Sequence, residues 1–227
     1  MIKVLHLYYD LLNLYGEQGN ILALKRAFKN QNVDIEVDYL SVQDKIDFKK
    51  YDLVYLGSGS TENLLIALED IKRHKKELKK YIESKKVLLA TGNSYLLFGQ
   101  KINNLDALGI FDYYAASSEK MAQESLMELY QEKDVIGFQN REFMVNNKKN
   151  HLFKVKEGLC DNLKSEYEGY HEYNFYGTFV IGPLLIRNPH FTNKLVKEIM
   201  EKNNLIYHEY EDKILVDAHN QSIKNFY

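Results

Sequence analysis

Apolar and polar positions along the first hundred residues alternate between two rhythms. Residues 2–8 form a short, nearly continuous apolar run, as expected of a strand buried on both faces. Residues 17–30 then place Ile21, Leu22, Leu24, Ala27 and Phe28 at helical spacing. Residues 35–40 return to period two. Residues 52–56 make another apolar run, ending at Gly57-Ser58-Gly59. A helix is predicted over 61–84, with Ser60 or Thr61 as its cap. Residues 86–91 form one more buried strand, which Gly92-Asn93-Ser94 turns into a helix through 95–99. Strand and helix repeated at this spacing predict a mostly parallel sheet with helices on both faces.

The rhythm changes after residue 113. Short strand signals follow one another at 126–130, 135–138, 143–145, 152–155 and 175–181. Helical spacing returns only at 192–202 and 212–225. The expectation is an α/β fold whose sheet continues into an antiparallel extension and is closed by C-terminal helices. No Pro-, Gly- or Ser-rich linker separates the halves, so residues 1–227 are read as a single domain.

Charge and composition narrow the function. The 30 basic and 32 acidic side chains give a formal charge of -2, which argues against a protein that grips nucleic acid or an anionic membrane by bulk charge. No apolar run is long enough to span a bilayer, and no signal segment opens the chain. The single cysteine, Cys160, excludes an intrachain disulfide and a cysteine-based metal cluster. A cytoplasmic protein without cofactor or metal is expected.

In an open α/β sheet, ligands gather beyond the carboxyl ends of the strands. Two turns fall there. Gly57-Ser58-Gly59-Ser60-Thr61 could offer backbone N–H groups to an anion or oxyanion. Ala90-Thr91-Gly92-Asn93-Ser94 has the strand-to-helix form that exposes a nucleophile in many hydrolases. A plain structural turn is the default reading of either one.

Longer strings carry a resemblance. Residues 7–20, LYYDLLNLYGEQGN, are similar to the opening "LYPDLLNLYGDxGN" of class I glutamine amidotransferases of the cobyric acid synthase type. Among these, the chain most resembles the glutaminase subunits of lipid II isoglutaminyl synthase. Leu56-Gly57-Ser58-Gly59 stands where the family has a glycine-rich oxyanion strand. Gly137-Phe138-Gln139-Asn140 resembles "GFENH", and residues 177–189, GTFVIGPLLIRNP, resemble "GTYLHGPLLPKNP". The blocks keep the family's order and span nearly the whole chain. The resemblance implies a class I amidotransferase domain with flavodoxin-like layering, working beside a Mur-ligase-like synthetase that amidates a peptidoglycan precursor.

Two departures fall on the chemistry. The family's elbow reads "A-x-C-G-G-Y-Q-L-L-G", and here Gly92 holds the place of the nucleophilic cysteine. Ile181 holds the place of the histidine in "HGPLL". Glutamine hydrolysis of this kind needs a thiolate to form a thioester and an imidazole to move protons. Loss of one such group lowers turnover by on the order of 10⁴- to 10⁶-fold, and further losses add little. The expectation is therefore an inactive homologue acting as a scaffold or regulatory subunit in a heterodimer. The alternatives are a sensor that binds glutamine or a similar small acid, and an active amidotransferase with relocated groups.

Gly57, Ser58, Gly59 and Ser60 are the oxyanion-loop-like residues, and Asn93, Ser94 and Asn140 are candidates for lining a ligand pocket. Cys160 and Ser94 are the available substitute nucleophiles; His171 and His190 are the nearby imidazoles to weigh, with packing and capping roles as the plain alternatives. Tyr8, Tyr9 and Tyr15 could form a partner surface or core with hydroxyls at its rim. Asp10, Glu17 and Asn20 read as loop and cap residues or as a subunit contact, and the basic stretch 72–86, interrupted by Glu77 and Glu83, as a solvated helix face.

Overall fold

The computed structural model describes residues 1–129 and 133–226. Eleven strands join one sheet in the order β2-β1-β3-β4-β11-β10-β9-β7-β5-β6, with β8 also paired to β7. The central sheet is mostly parallel: β1 (Ile2–Leu7), β2 (Ile35–Leu40), β3 (Leu53–Leu56), β4 (Val87–Thr91) and β11 (Phe175–Thr178) run the same way. The short apolar runs become these strands because alternate side chains reach opposite faces. Leu5, Leu7, Val54, Leu56, Leu88 and Ala90 pack beneath α2 (Thr61–Ile71) and α3 (Lys75–Glu83). Val4, Leu53, Tyr55, Val87 and Leu89 pack beneath α1 (Gln18–Asn30) and α5 (Pro189–Lys202). Full burial of each large apolar side chain is worth roughly 1.5–3 kcal/mol, so two covered faces make this half the anchor of the fold.

The second half is antiparallel. A long hairpin pairs β7 (Tyr113–Leu129) with β8 (Lys133–Asn147). The predicted short strands at 126–130, 135–138 and 143–145 are parts of these two, except Tyr130, which lies outside the described residues. β9 (His151–Glu157) and β10 (Tyr167–Glu172) connect the hairpin to β11. The sequence reading missed β10, whose burial does not alternate, and the two-residue strands β5 (Lys101–Ile102) and β6 (Leu105–Asp106).

Three boundaries differ from expectation. The helix over 61–84 is interrupted by a 3-10 turn at Lys72–His74. The segment after β4 is a 3-10 helix, Gly92–Phe98, wound more tightly than the expected α-helix. The apolar run at 175–181 stops being a strand at Thr178, and Ile181 makes only an isolated bridge to Phe138. The short α4 (Leu184–Arg187) follows, and α6 (Lys213–Ile223) closes the chain against α4, α5 and β8. No helix among the described residues is long and apolar enough to cross a membrane.

Candidate functional site: a closed elbow

The strand order reverses between β1 and β3, with β2 lying outward from β1 and β4 outward from β3. The carboxyl ends of β1, β3 and β4 meet there, as ligand sites in this class of sheet require. The turn after β4 puts Gly92 at φ +64°, a left-handed conformation that side chains rarely adopt. A Cβ at Gly92 would stand 2.3 Å from both Cβ and Oγ of Ser58 and 3.1 Å from Cγ2 of Ile181. Gly92 and Ile181, the two positions singled out in the sequence, are thus side by side. Gly92, Ser58 and Ile181 are all buried. Ile181 is fixed by its backbone, whose N–H donates to the Phe138 carbonyl at 2.9 Å.

The loop at 57–60 is filled from within. The Ser58 N–H donates to Glu17 Oε1 at 3.1 Å, and the Gly59 N–H donates to Asn93 Oδ1 at 3.1 Å. Asn93 Nδ2 donates back to the Gly59 carbonyl at 2.8 Å, and the Ser58 hydroxyl donates to Asn93 Oδ1 at 3.3 Å. The Ser58 carbonyl accepts from the Leu14 N–H at 2.9 Å. The expected anion cradle therefore spends the Ser58 and Gly59 donors on the protein itself. Ser60 turns away to cap α2, accepting from the Asn63 N–H at 3.2 Å.

Glu17 is the residue the sequence reading undervalued. It precedes α1 but makes no side-chain cap bond. Its fully buried carboxylate lies beneath both turns and accepts from the Ser58 N–H, from Thr91 Oγ1 at 3.1 Å, from Asn20 Nδ2 at 3.3 Å and from the Tyr55 hydroxyl. Burial pushes its pKa up, and these donors hold it partly down. Asn20 extends the network, donating to the Tyr55 hydroxyl at 2.7 Å and accepting from the Leu185 N–H at 2.8 Å. One carboxylate thereby ties β3, β4, the 57–60 loop and α1 together. The available signal was an acidic residue inside the opening string, next to a glycine and a strand end.

The other candidates are dispersed. The Ser94 hydroxyl is fully buried and donates to the Leu56 and Thr91 carbonyls, a helix-start role that leaves it no free path to a substrate. Asn140 donates to the Tyr15 hydroxyl at 2.8 Å, tying β8 to the N-terminal loop, and has no hydrogen bond to Asn93 or Ser94. Cys160 lies between β9 and β10, and burial pushes its thiol pKa up, away from the reactive thiolate. His171 stacks on Tyr176 with centroids 4.3 Å apart. His190 packs edge-on against His219, and burial lowers its pKa to about 4. Tyr8 is core, with its hydroxyl on Asp70 at 2.8 Å, whereas Tyr9 is exposed and edge-on to Tyr39. The basic stretch pairs locally, Lys72 with Glu69, Arg73 with Asp70 and Lys79 with Glu83.

A second buried polar group backs the Ile181 segment. Glu168 accepts from Thr178 Oγ1 at 2.7 Å and from the Phe179 N–H at 2.6 Å, and burial raises its pKa to about 7. The Arg141 guanidinium lies 4.5 Å from the Phe179 ring centroid and donates to the Cys160 carbonyl.

Known proteins share this layout. The profile of the CobB/CobQ-like glutamine amidotransferase domain matches residues 3–189. The subunit GatD of lipid II isoglutaminyl synthase (glutamine-hydrolyzing) from Staphylococcus aureus (strain N315) is 26% identical over 239 residues, covering 99% of this chain and 98% of that protein. The subunit of the same name from Streptococcus pneumoniae (strain ATCC BAA-255 / R6) is 29% identical over 217 residues, covering 88% and 81%. A solved glutamine amidotransferase superposes with a TM-score of 0.57 at 14% identity, covering 86% of this chain and 98% of that one, which speaks for the fold alone. With its order of motifs, its sheet and its paired turns all in place, the chain belongs to the CobB/CobQ-like glutamine amidotransferase family.

Proposed function

We propose that this chain is a non-hydrolysing homologue of the glutaminase subunit GatD, acting as a scaffold or regulatory subunit beside a Mur-ligase-like synthetase. One observation carries the reading: Gly92 at the elbow faces Ser58 and Ile181, with no room for a side chain and no imidazole beside it. The family's reaction needs a sulfur at the first position and a proton carrier at the second. Neither residue type is present, and the nearby loop donors that would hold an oxyanion are engaged by Glu17 and Asn93.

Similarity to GatD over 99% of the chain supports a partner-binding role on this reading. The reading predicts a stable heterodimer and no ammonia supply.

The test has two arms. The chain is co-expressed with the Mur-ligase-like protein of the same organism, and the pair is purified through a tag on one of them. Glutamate release from excess glutamine is then measured. A stable complex with no glutamate release is expected. Glutamate release abolished by Cys160→Ala or Ser94→Ala would overturn the loss of catalysis. Failure of the two chains to co-purify would overturn the partner.

A further inference from the structure

The antiparallel half carries a feature that the amidotransferase reading does not use. A cleft of about 790 Å³ opens where the start of β7, the end of β8 and the starts of β9 and β10 meet the loop at 162–166. It lies on the extension, away from Gly92, and does not depend on what the elbow does. Its volume falls in the range of small-molecule sites, about 300–1,000 Å³.

Its walls are aromatic and apolar. Tyr114, 49% exposed, stands on one side; Tyr167, 37% exposed, stands on another. Tyr167 lies flat on His151, with centroids 4.5 Å apart and ring planes 13° from parallel. Met144 and Ala116 complete the apolar lining, and Leu163, 89% exposed, stands at its rim. Stacked and edge-on contacts with such rings favour a flat aromatic guest.

The polar side of the cleft is set by the tautomer of His151. Asn147 Oδ1 accepts from the Lys149 N–H at 3.2 Å, which fixes the orientation of its amide. Its Nδ2 then donates to the Gly169 carbonyl at 3.1 Å and to His151 Nδ1 at 3.2 Å. Because Nδ1 accepts, the ring hydrogen sits on Nε2. Behind the ring, the fully buried Asp161 places Oδ2, which has no hydrogen-bond partner among the described residues, 3.9 Å from Nδ1. The Nδ1 edge of His151 is thus held, which leaves its one N–H on Nε2. Lys164 adds a cation at the rim without an ion pair among the described residues, and Glu166 lies beside it. A guest that accepts a hydrogen bond is favoured over one that only donates.

We propose that this cleft binds a planar aromatic ring carrying a carboxylate, its ring against Tyr167 and Tyr114 and its acceptor on His151 Nε2–H. The experiment titrates the full chain with benzoate and with cyclohexanecarboxylate, of the same charge but not flat, followed by calorimetry and by shifts of the tyrosine and histidine ring resonances. Saturable benzoate binding is expected, with cyclohexanecarboxylate weaker by about tenfold or more. His151→Phe keeps a ring to stack on Tyr167 but removes the donor and should weaken benzoate by about tenfold. Tyr114→Ala, at a half-exposed position on β7, should weaken it as well.

Equal affinity for the two acids would overturn the proposal. So would benzoate binding that neither variant alters, or no saturation in folded protein. Concentration-dependent self-association that Leu163→Asp abolishes, with no benzoate binding, would show that a second copy of the chain covers the cleft, and would overturn it too.

Discussion

At the scale of single residues, the proposed loss of chemistry turns on Gly92. A side chain there meets two obstacles: a left-handed backbone, costing about 1–3 kcal/mol for a non-glycine residue, and Ser58 atoms 2.3 Å from its Cβ. Gly92→Cys combined with Ile181→His therefore restores the residue types without restoring the site. The expected result is glutamate release at background level and a lower melting temperature than wild type. Adding Ser58→Gly should recover part of the stability, because it removes the clash and leaves the strain. Turnover like that of an ordinary amidotransferase in the double variant would show that the elbow opens freely. His6 gives a second residue-scale test. It is fully buried on β1 among Tyr9, Tyr39 and Tyr55, and neither ring nitrogen has a hydrogen-bond partner among the described residues. Burial lowers its pKa to about 4 from an ordinary value of 6.5. The unfolded chain thus takes up a proton before the folded one does. The stability tied to a neutral His6 is fully present above about pH 6.5 and is lost as pH falls toward 4, by on the order of 3 kcal/mol. Urea unfolding of His6→Phe between pH 7 and pH 4 should fall less steeply than wild type; parallel curves would refute the assignment.

At the scale of elements, the hairpin of β7 and β8 fixes the Ile181 segment. β8 crosses it at the Phe138–Ile181 bridge, and one residue earlier Gly137 lies so close that an added Cβ would meet Val180 Cγ1 at 2.0 Å. The contact is a fully buried backbone-to-side-chain fit in a close-packed interior. Gly137→Ala must push Val180 or β8 aside, which costs about 1–3 kcal/mol as overpacking does. The loss should appear in a denaturant titration, and Val180→Ala in the same chain should return much of it. If Gly137→Ala alone is neutral, the strand and the segment are not locked together.

At the scale of the whole molecule, the covered parallel half and the C-terminal closure differ in how firmly they are held. α5 buries Phe191, Leu195, Val196, Ile199 and Met200 against the sheet, whereas α6 buries only His219. What keeps α6 in place is mainly polar: Asp212 paired with Arg26, His219 Nδ1 against the Arg187 carbonyl at 2.7 Å, and Asn193 Nδ2 on the Tyr210 carbonyl at 2.8 Å. With so little apolar burial, α6 should open locally well below the global unfolding free energy. Amide exchange is expected to be fast across 213–223 and slow across α5, and Arg26→Ala should speed it in α6 alone. Equal protection of the two helices would mean that α6 belongs to the main cooperative unit.

Much of this architecture was legible in the sequence, because it rests on local rules. The apolar runs at 2–8, 52–56 and 86–91 become β1, β3 and β4 because a strand buried on both faces needs apolar residues throughout. The strings around Gly92 and Ile181 likewise pointed to the two positions on which the proposed loss of catalysis rests. The sequence could not reveal β10, whose polar Glu168 and Gly169 are buried only because Thr178, Phe179 and Asp161 supply their partners. Nor could it show that Glu17 lies under both turns, since its donors come from positions 3 to 74 residues further along the chain. The sequence by itself determined which residues are present, Gly92 and Ile181 among them. Only the tertiary structure decided that the space between them is closed, because that closure depends on Ser58, Asn93 and Glu17 converging from three separate strand and helix ends, a distance-dependent fit that no local pattern encodes.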